Sequence, residues 1–205
     1  MDDKVLAVLD HYHEVIRKQQ NEPRETPPGG RDGGLDQRMR AVGPATGQLL
    51  NILAKSIKAP TIVEIGTSFG YSGIWLGEAA RASGGRLITM ELHAYKTDYA
   101  RKMAERAGLG SFIDFKVGDA IEMISQQPDG IDFILLDLWK DLYVSCLEAF
   151  YPKLSRGAII VADNMVRGGD GNMKEYAARI RAIPGISSVM LPVGSGLEVS
   201  RYDPD

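Results

Sequence analysis

Thr61-Ile-Val-Glu-Ile-Gly-Thr-Ser-Phe-Gly-Tyr-Ser-Gly73 joins a short apolar run to a glycine-rich turn. The pattern predicts a strand over 61–65 and a helix over about 72–82. Such a unit is typical of an open α/β sheet, whose ligands lie at the carboxyl ends of the strands. The spacing of Gly66 and Gly70 is G-x-x-x-G, which differs from the G-x-G-x-x-G of a dinucleotide turn. The turn therefore indicates a ligand other than a dinucleotide, with a purely structural turn as the alternative.

The alternation of strand and helix continues along the chain. Further strands are predicted at 87–90, 112–117, 131–136 and 157–162, and helices at 45–57, 96–107, 120–126, 142–151 and 173–182. The late strands 186–191 and 196–202 lie too close together for a helical crossover, so they are expected to form an antiparallel hairpin. We therefore predict an α/β fold: a doubly wound, mostly parallel seven-stranded sheet with a C-terminal antiparallel hairpin.

The N-terminal part has a different character. Residues 3–19 carry apolar side chains at helical spacing, and 21–34 are rich in proline and glycine. The second stretch is either a plain linker or a lid over a site. His11 and His13 stand two apart on the helix, so they face different directions and are expected at the surface. The predicted organisation is an N-terminal helix and Pro/Gly-rich loop at 1–35, followed by one domain at 36–205.

Composition restricts the class of protein. The net charge of −3 and the pI of about 5.7 argue against a nucleic-acid partner, although a local basic patch would be compatible with them. Cys146 is the single cysteine, so no internal disulfide can form and a reducing compartment is expected. No apolar run approaches the roughly 20 residues of a membrane span, and the first residues lack a signal-peptide pattern. These features predict a cytoplasmic protein with no membrane partner.

Acidic residues follow the second and third strands. Glu91 comes after the glycine turn at about the interval at which α/β cofactor domains place an acid for ribose hydroxyls. The alternative is an exposed strand-end glutamate. Asp119 and Ala120 open the next helix, where the aspartate is either a simple N-cap or part of a contact with an adenine amine.

Asp137, Asp163 and Asn164 follow the fourth and fifth strands, which should be neighbours. Two carboxylates and an amide make an all-oxygen donor set, which suits Mg²⁺ or Mn²⁺. Helix capping by both acids is the alternative. Lys140 lies beside this set, and a nearby cation would lower its pKa toward the range of a general base. The alternative is a solvated lysine at a helix start.

These segments together resemble the cation-dependent O-methyltransferases, the group that contains catechol and caffeoyl-CoA O-methyltransferases. The resemblance extends from about Met39 to Val199. It is carried by Val63-Glu-Ile-Gly66 with Gly70-Tyr-Ser72, Leu87-Ile-Thr-Met-Glu91, Asp137-Leu-Trp-Lys-Asp-Leu-Tyr143, Ala162-Asp-Asn164, Ser195-Gly-Leu-Glu198, and Val42-Gly43 with Met39 nearby.

The resemblance implies a Rossmann-like methyltransferase fold, S-adenosyl-L-methionine (SAM) as cofactor, and Mg²⁺, Mn²⁺ or Ca²⁺. It implies cofactor contacts at Val42, Glu64, Gly66, Ser68, Gly70, Tyr71, Ser72, Glu91, Asp119, Ala120 and Asp137. It implies metal ligation by Asp137, Asp163 and Asn164, and catalytic roles for Lys140 and Glu198. The implied reaction is O-methylation of a small hydroxylated aromatic substrate by a homodimer.

The chain departs from the family pattern where an acceptor would be chosen. Leu138 replaces a polar residue, and the stretches before Leu35 and at 167–171 do not match the aromatic and proline gates expected for flat catechols. Three other functions therefore stay open: methylation of a hydroxylated uridine in tRNA, an NAD-dependent oxidoreductase, and a non-catalytic SAM-binding module. The glycine spacing disfavours the oxidoreductase.

Overall fold

The computed structural model describes residues 1–22, 35–166 and 171–204. Most of the stretch predicted as a lid or linker, and most of the 167–171 loop, lie outside these residues. The helices are α1 Asp3–Gln20, α2 Pro44–Lys55, α3 Tyr71–Ser83, α4 Ala94–Arg106, α5 Ala120–Ser125, α6 Tyr143–Phe150 and α7 Gly171–Arg181. The strands are β1 Thr61–Ile65, β2 Arg86–Glu91, β3 Ile113–Val117, β4 Ile131–Leu136, β5 Leu154–Ala162, β6 Ile186–Leu191 and β7 Leu197–Tyr202.

The strands form one seven-stranded sheet in the order β3-β2-β1-β4-β5-β7-β6. Strands β1 to β5 run parallel to one another, whereas β7 runs antiparallel to both of its neighbours, β5 and β6. The predicted α/β class and the C-terminal hairpin are thus confirmed. Strand order reverses between β1 and β4, which is the position where an open sheet of this kind leaves a crevice for a ligand.

The sheet separates two hydrophobic clusters. Helices α1 to α4 cover one face, where Leu50 and Leu76 are fully buried, and α5 to α7 cover the other, where Phe150 and Ile180 are fully buried. Because β4 is covered on both sides, its side chains are apolar on consecutive positions. Helix α1 packs in the first cluster. The division of the chain into an N-terminal part and one domain at residue 35 stays a prediction.

Strand β5 begins at Leu154, three residues before the predicted start at Gly157. The register with β4 shifts between the pairs Ile131–Leu154 and Phe133–Ile159. Gly157 has φ of +85° within this irregularity, a conformation that glycine adopts without strain. The strand therefore continues through a bulge, whereas hydrophobic periodicity alone places the start of the strand at Gly157.

Cys146 is fully buried in α6, and burial raises the pKa of its thiol to about 12. The thiol therefore belongs to the second hydrophobic cluster. Within the described ranges, every helix is too short or too polar to cross a bilayer.

Candidate active site

Gly66 and Asp137 bring the ends of β1 and β4 into direct contact. The amide of Asp137 donates to the carbonyl oxygen of Ile65 at 3.0 Å. Gly66 has φ of +108°, and a Cβ added there would overlap the carbonyl group of Asp137. Only glycine allows this close approach, so Gly66 is required where the ends of β1 and β4 meet.

The turn at residues 66–70, called here the cofactor loop, is held by main-chain hydrogen bonds. The amides of Gly66 and Thr67 both donate to the carbonyl oxygen of Met90 at 3.0 Å. The amide of Ser68 donates to Oε2 of Glu91 at 2.8 Å, and the other oxygen of Glu91 accepts from the amide of His93 at 3.1 Å. Glu91 thus ties the loop to the end of β2 and lies, half-buried, where the sequence predicted it.

Glu64 is a buried carboxylate beneath the cofactor loop. It is 0% exposed, and Oε2 accepts from the hydroxyl of Thr89 at 2.5 Å. Its Oε1 has no hydrogen-bond partner within the described part of the chain, and neither has the buried Oγ of Ser68. Burial raises the pKa of Glu64 to about 7, against the lowering effect of the neighbouring hydroxyl groups of Ser72 and Thr89. The site therefore holds polar atoms without partners, which suit a ligand that brings hydrogen-bond donors.

The remaining predicted cofactor residues contribute in different ways. Asp119 is exposed and caps α5, since its Oδ1 accepts from the amide of Glu122 at 2.9 Å. Ala120 is half-buried beside it, and Val42 lies in the first hydrophobic cluster. The hydroxyl of Tyr71 lies 2.9 Å from Nε2 of His13 on α1. The Tyr71 side chain is therefore engaged with α1.

Asp137 and Asn164 meet at the carboxyl edge of β4 and β5. Nδ2 of Asn164 donates to Oδ1 of Asp137 at 3.0 Å, and Asn164 has φ of +65°. Asp163 is 2% exposed, and its amide donates to the carbonyl oxygen of Leu136 at 3.1 Å. In the described ranges, no three His, Cys, Asp or Glu residues form a group able to hold a metal ion. A cation at this edge would therefore need the amide of Asn164 as a third ligand.

Lys140 is anchored beside this pair. Its Nζ donates to the carbonyl oxygen of Leu138 and to the hydroxyl of Tyr143, both at 2.9 Å, and lies 3.5 Å from Oδ1 of Asp137. Burial raises the pKa of Asp137, and the ammonium of Lys140 opposes that shift. The predicted lysine and carboxylate thus do come together.

Tyr143 is a site residue that sequence reasoning missed. Its fully buried hydroxyl lies 3.1 Å from the carbonyl oxygens of both Leu136 and Asp163. It therefore ties the ends of β4 and β5 to each other and to Lys140. The spacing Lys140-x-x-Tyr143 was the available signal, because residues three apart at a helix start share a face.

Glu198 is the predicted site residue that the structure does not bring to this cluster. Its side chain is 0% exposed, and its two oxygens accept from Nε and Nη2 of Arg181 at 2.7 and 2.8 Å. The hydroxyl of Ser188 donates to the same carboxylate at 2.5 Å. Because alternate residues of a strand face opposite sides, Glu198 on β7 points under α7. The predicted contact with a substrate hydroxyl does not fit this position.

Comparison with known proteins supplies the family. A family model described as O-methyltransferase matches residues 35–202. The chain belongs to this O-methyltransferase family.

Two curated relatives and one solved structure illustrate the relationship. This O-methyltransferase family member is 37% identical over 147 residues to a catechol O-methyltransferase of Niastella koreensis, covering 68% of this chain and 66% of that protein, a little under two thirds of its length. It is 30% identical over 178 residues to a caffeoyl-CoA O-methyltransferase of Petroselinum crispum, covering 76% and 73% of the two chains. A crystal structure of an O-methyltransferase from Bacillus cereus in complex with SAH has a TM-score of 0.78 at 27% identity, covering 96% of this chain and 91% of that one.

In this O-methyltransferase family member, the predicted residues separate into two groups. The cofactor loop, Glu64, Glu91, Asp137, Asn164 and Lys140 gather along the crevice at the carboxyl edge of the sheet. Glu198 and the side chain of Tyr71 face away from it, toward α7 and α1.

Proposed function

We propose that the chain catalyses SAM-dependent, divalent-metal-dependent methylation of a hydroxyl group on a small catechol-like or phenolic acceptor. The observation that carries the proposal is that Nδ2 of Asn164 and Nζ of Lys140 lie 3.0 and 3.5 Å from the same oxygen of Asp137, whose carbonyl group adjoins Gly66. The names of the curated relatives, catechol and caffeoyl-CoA O-methyltransferase, support the acceptor class.

The residues around the cofactor loop fit SAM. The unpartnered Oε1 of Glu64 and Oγ of Ser68 would accept or exchange hydrogen bonds with the amino-acid part of the cofactor. The carboxylate of Glu91 would accept hydrogen bonds from the ribose hydroxyls. Asp119 and Ala120, which follow β3, would contact the adenine. SAM supplies an electrophilic methyl group, whose bond to sulfur breaks as the bond to the acceptor oxygen forms.

The donor set of Asp137, Asp163 and Asn164 fits Mg²⁺ or Mn²⁺, with Ca²⁺ as a further possibility, because it presents oxygen ligands only. Asn164 presents its nitrogen to Asp137 at 3.0 Å, so ligation would use its carbonyl oxygen after a turn of the amide. A bound divalent cation lowers the pKa of a coordinated hydroxyl.

Lys140 is the group placed to take the proton of the acceptor hydroxyl. Its Nζ lies beside Asp137 and donates hydrogen bonds to the carbonyl of Leu138 and the hydroxyl of Tyr143. These two contacts orient the nitrogen, and its neutral form would accept the proton as the methyl group is transferred. Alignment of acceptor oxygen, methyl carbon and sulfur would then depend on the fixed ends of β1, β4 and β5.

The experiment is methyl transfer by metal-stripped protein from labelled SAM to a panel of catechols, with and without Mg²⁺. Transfer that requires the metal supports the proposal. SAM binding without transfer to any phenol would overturn the acceptor class, and transfer to tRNA would assign the hydroxyuridine alternative. A chain that does not bind SAM would overturn the whole proposal. Cytoplasmic location and a homodimer stay predictions.

A further inference from the structure

Helix α1 touches the cofactor loop directly. The hydroxyl of Tyr12 donates to the carbonyl oxygen of Phe69 at 2.6 Å, and Tyr12 is 0% exposed. A Cβ added at Gly70 would lie 3.3 Å from the same hydroxyl oxygen, so the phenol packs over the loop as well as bonding to it. The family match begins at Leu35, so this contact comes from a helix outside the matched region.

The residues on either side of Tyr12 reinforce the contact. Nε2 of His11 lies 3.1 Å from the hydroxyl of Tyr99 on α4, and His13 bonds to Tyr71, which directly follows the loop. Both histidines are half-buried at a helix interface, which corrects the expectation that they are surface residues. Three successive residues of α1 thus fasten it around residues 69–71 and α4.

The position of the bond within the loop gives it a particular role. The amides of Gly66, Thr67, Ser68 and Gly70 are already bonded within the sheet edge and the loop. The loop also contains three residues with positive φ, Gly66 at 108°, Ser68 at 47° and Gly70 at 90°. Ser68 is the one that is not glycine, and such backbone persists in a non-glycine residue only where its surroundings fix it. Tyr12 supplies the bond to the buried carbonyl of Phe69, which directly follows Ser68.

We propose that Tyr12 is a positioning residue that holds the cofactor loop in its SAM-binding shape through the carbonyl of Phe69. The proposal rests on the proposed function, because it assumes that this loop binds SAM. Without the bond, the carbonyl of Phe69 would lack its partner, and the loop would open more often to reach water. A protein whose binding-competent state is less populated binds its ligand more weakly in proportion.

The test compares Tyr12→Phe with Tyr99→Phe in the full chain. Each variant loses one hydroxyl of the same aromatic cluster and keeps its ring, but Tyr99 bonds to α1 and not to the loop. For Tyr12→Phe we expect the SAM dissociation constant from calorimetry to rise about three- to tenfold. We expect faster amide hydrogen exchange at Gly70 and Tyr71, and little change in kcat at saturating SAM. Tyr99→Phe should bind SAM within about twofold of the wild type.

Wild-type affinity in Tyr12→Phe, or equal weakening in both variants, would overturn the positioning role while leaving the proposed function intact. A wild-type chain that binds no SAM would overturn the proposed function and this inference with it. If Tyr12→Phe unfolds at the assay temperature, amide hydrogen exchange is measured at a lower temperature. Faster exchange at Gly70 and Tyr71 than at the buried amides of α6 would then support the inference. Uniformly faster exchange would then count against the inference.

Discussion

Nδ2 of Asn164 lies 3.0 Å from Oδ1 of Asp137, and this single contact spans the ends of two neighbouring strands. The amide of Asn164 acts as a hydrogen-bond donor to the carboxylate of Asp137. With a cation bound, the same two side chains would share it as ligands. Ligation by Asn164 would need only rotation of its terminal amide, which would present the oxygen in place of the nitrogen.

Asp137→Asn should abolish metal-stimulated methyl transfer and weaken Mn²⁺ binding about 100-fold or more. Loss of a residue that only hydrogen-bonds to a metal ligand already lowers metal affinity about 10–100-fold, and Asp137 is proposed as a ligand itself. Free Mn²⁺ measured by electron paramagnetic resonance checks this without relying on activity. Asp129→Asn removes an exposed carboxylate of the same charge and should leave binding unchanged. Equal Mn²⁺ affinity in the two variants would remove Asp137 from the metal site.

Lys140→Met should lower the single-turnover rate of methyl transfer about 100-fold or more, in the range expected for loss of a general base. The affinity for SAM should change by less than about twofold, because the Nζ of Lys140 contacts Leu138, Tyr143 and Asp137 but not the cofactor loop. Lys102→Met, at an exposed position on α4, is the control. A variant that keeps the wild-type rate at both low and high pH would refute the base role.

Glu64 predicts a pH dependence of stability in the absence of SAM. Its folded-state pKa of about 7 lies above the ordinary value of 4.5, so the native state favours the neutral acid. The contribution of Glu64 to the free energy of unfolding should therefore be largest below about pH 4.5 and fall by up to about 3 kcal/mol as pH rises to 7.

Urea unfolding of wild type and Glu64→Gln at pH 5 and pH 7.5 measures this contribution as a difference between the two proteins. Glu64→Gln should lose less stability over the interval, whereas Glu148→Gln, at an exposed position, should follow the wild type. Parallel pH profiles for wild type and Glu64→Gln would show that the carboxyl is not destabilised by burial.

Gly66→Ala should destabilise the chain by about 3 kcal/mol or more and eliminate SAM binding, because the new methyl group meets the carbonyl of Asp137 in a backbone with φ of +108°. Gly84→Ala is the matched control, since Gly84 also has positive φ, at +76°, but no atom lies within 4 Å of an added Cβ. It should lose only about 1 kcal/mol. Thermal unfolding and calorimetric titration with SAM compare the two, and similar losses would mean that the approach to Asp137 is unimportant.

Sequence reasoning predicted the features that depend on local patterns. The strand-turn-helix unit at Gly66, the neighbouring positions of β4 and β5, and the C-terminal hairpin follow from periodicity and connection length. The placement of Lys140 beside Asp137 follows from their being three residues apart.

The features that sequence reasoning missed depend on tertiary packing. Resemblance assigned Glu198 to the substrate, but the strand register turns its side chain toward Arg181. The role of Tyr143 was missed, because its bonds join carbonyl groups 7 and 20 residues away. The contact of Tyr12 with Phe69 spans 57 residues, so no local pattern could predict it.

The sheet order also has a consequence for how the chain is made. Strand β6 reaches the rest of the sheet only through β7, although β7 is synthesised after it. On the ribosome, β6 would have to wait until residues 197–202 had left the exit tunnel and paired with β5. The edge of β5 that pairs with β7 stays uncovered until then, and a chaperone that recognises exposed strands would meet nascent chains there.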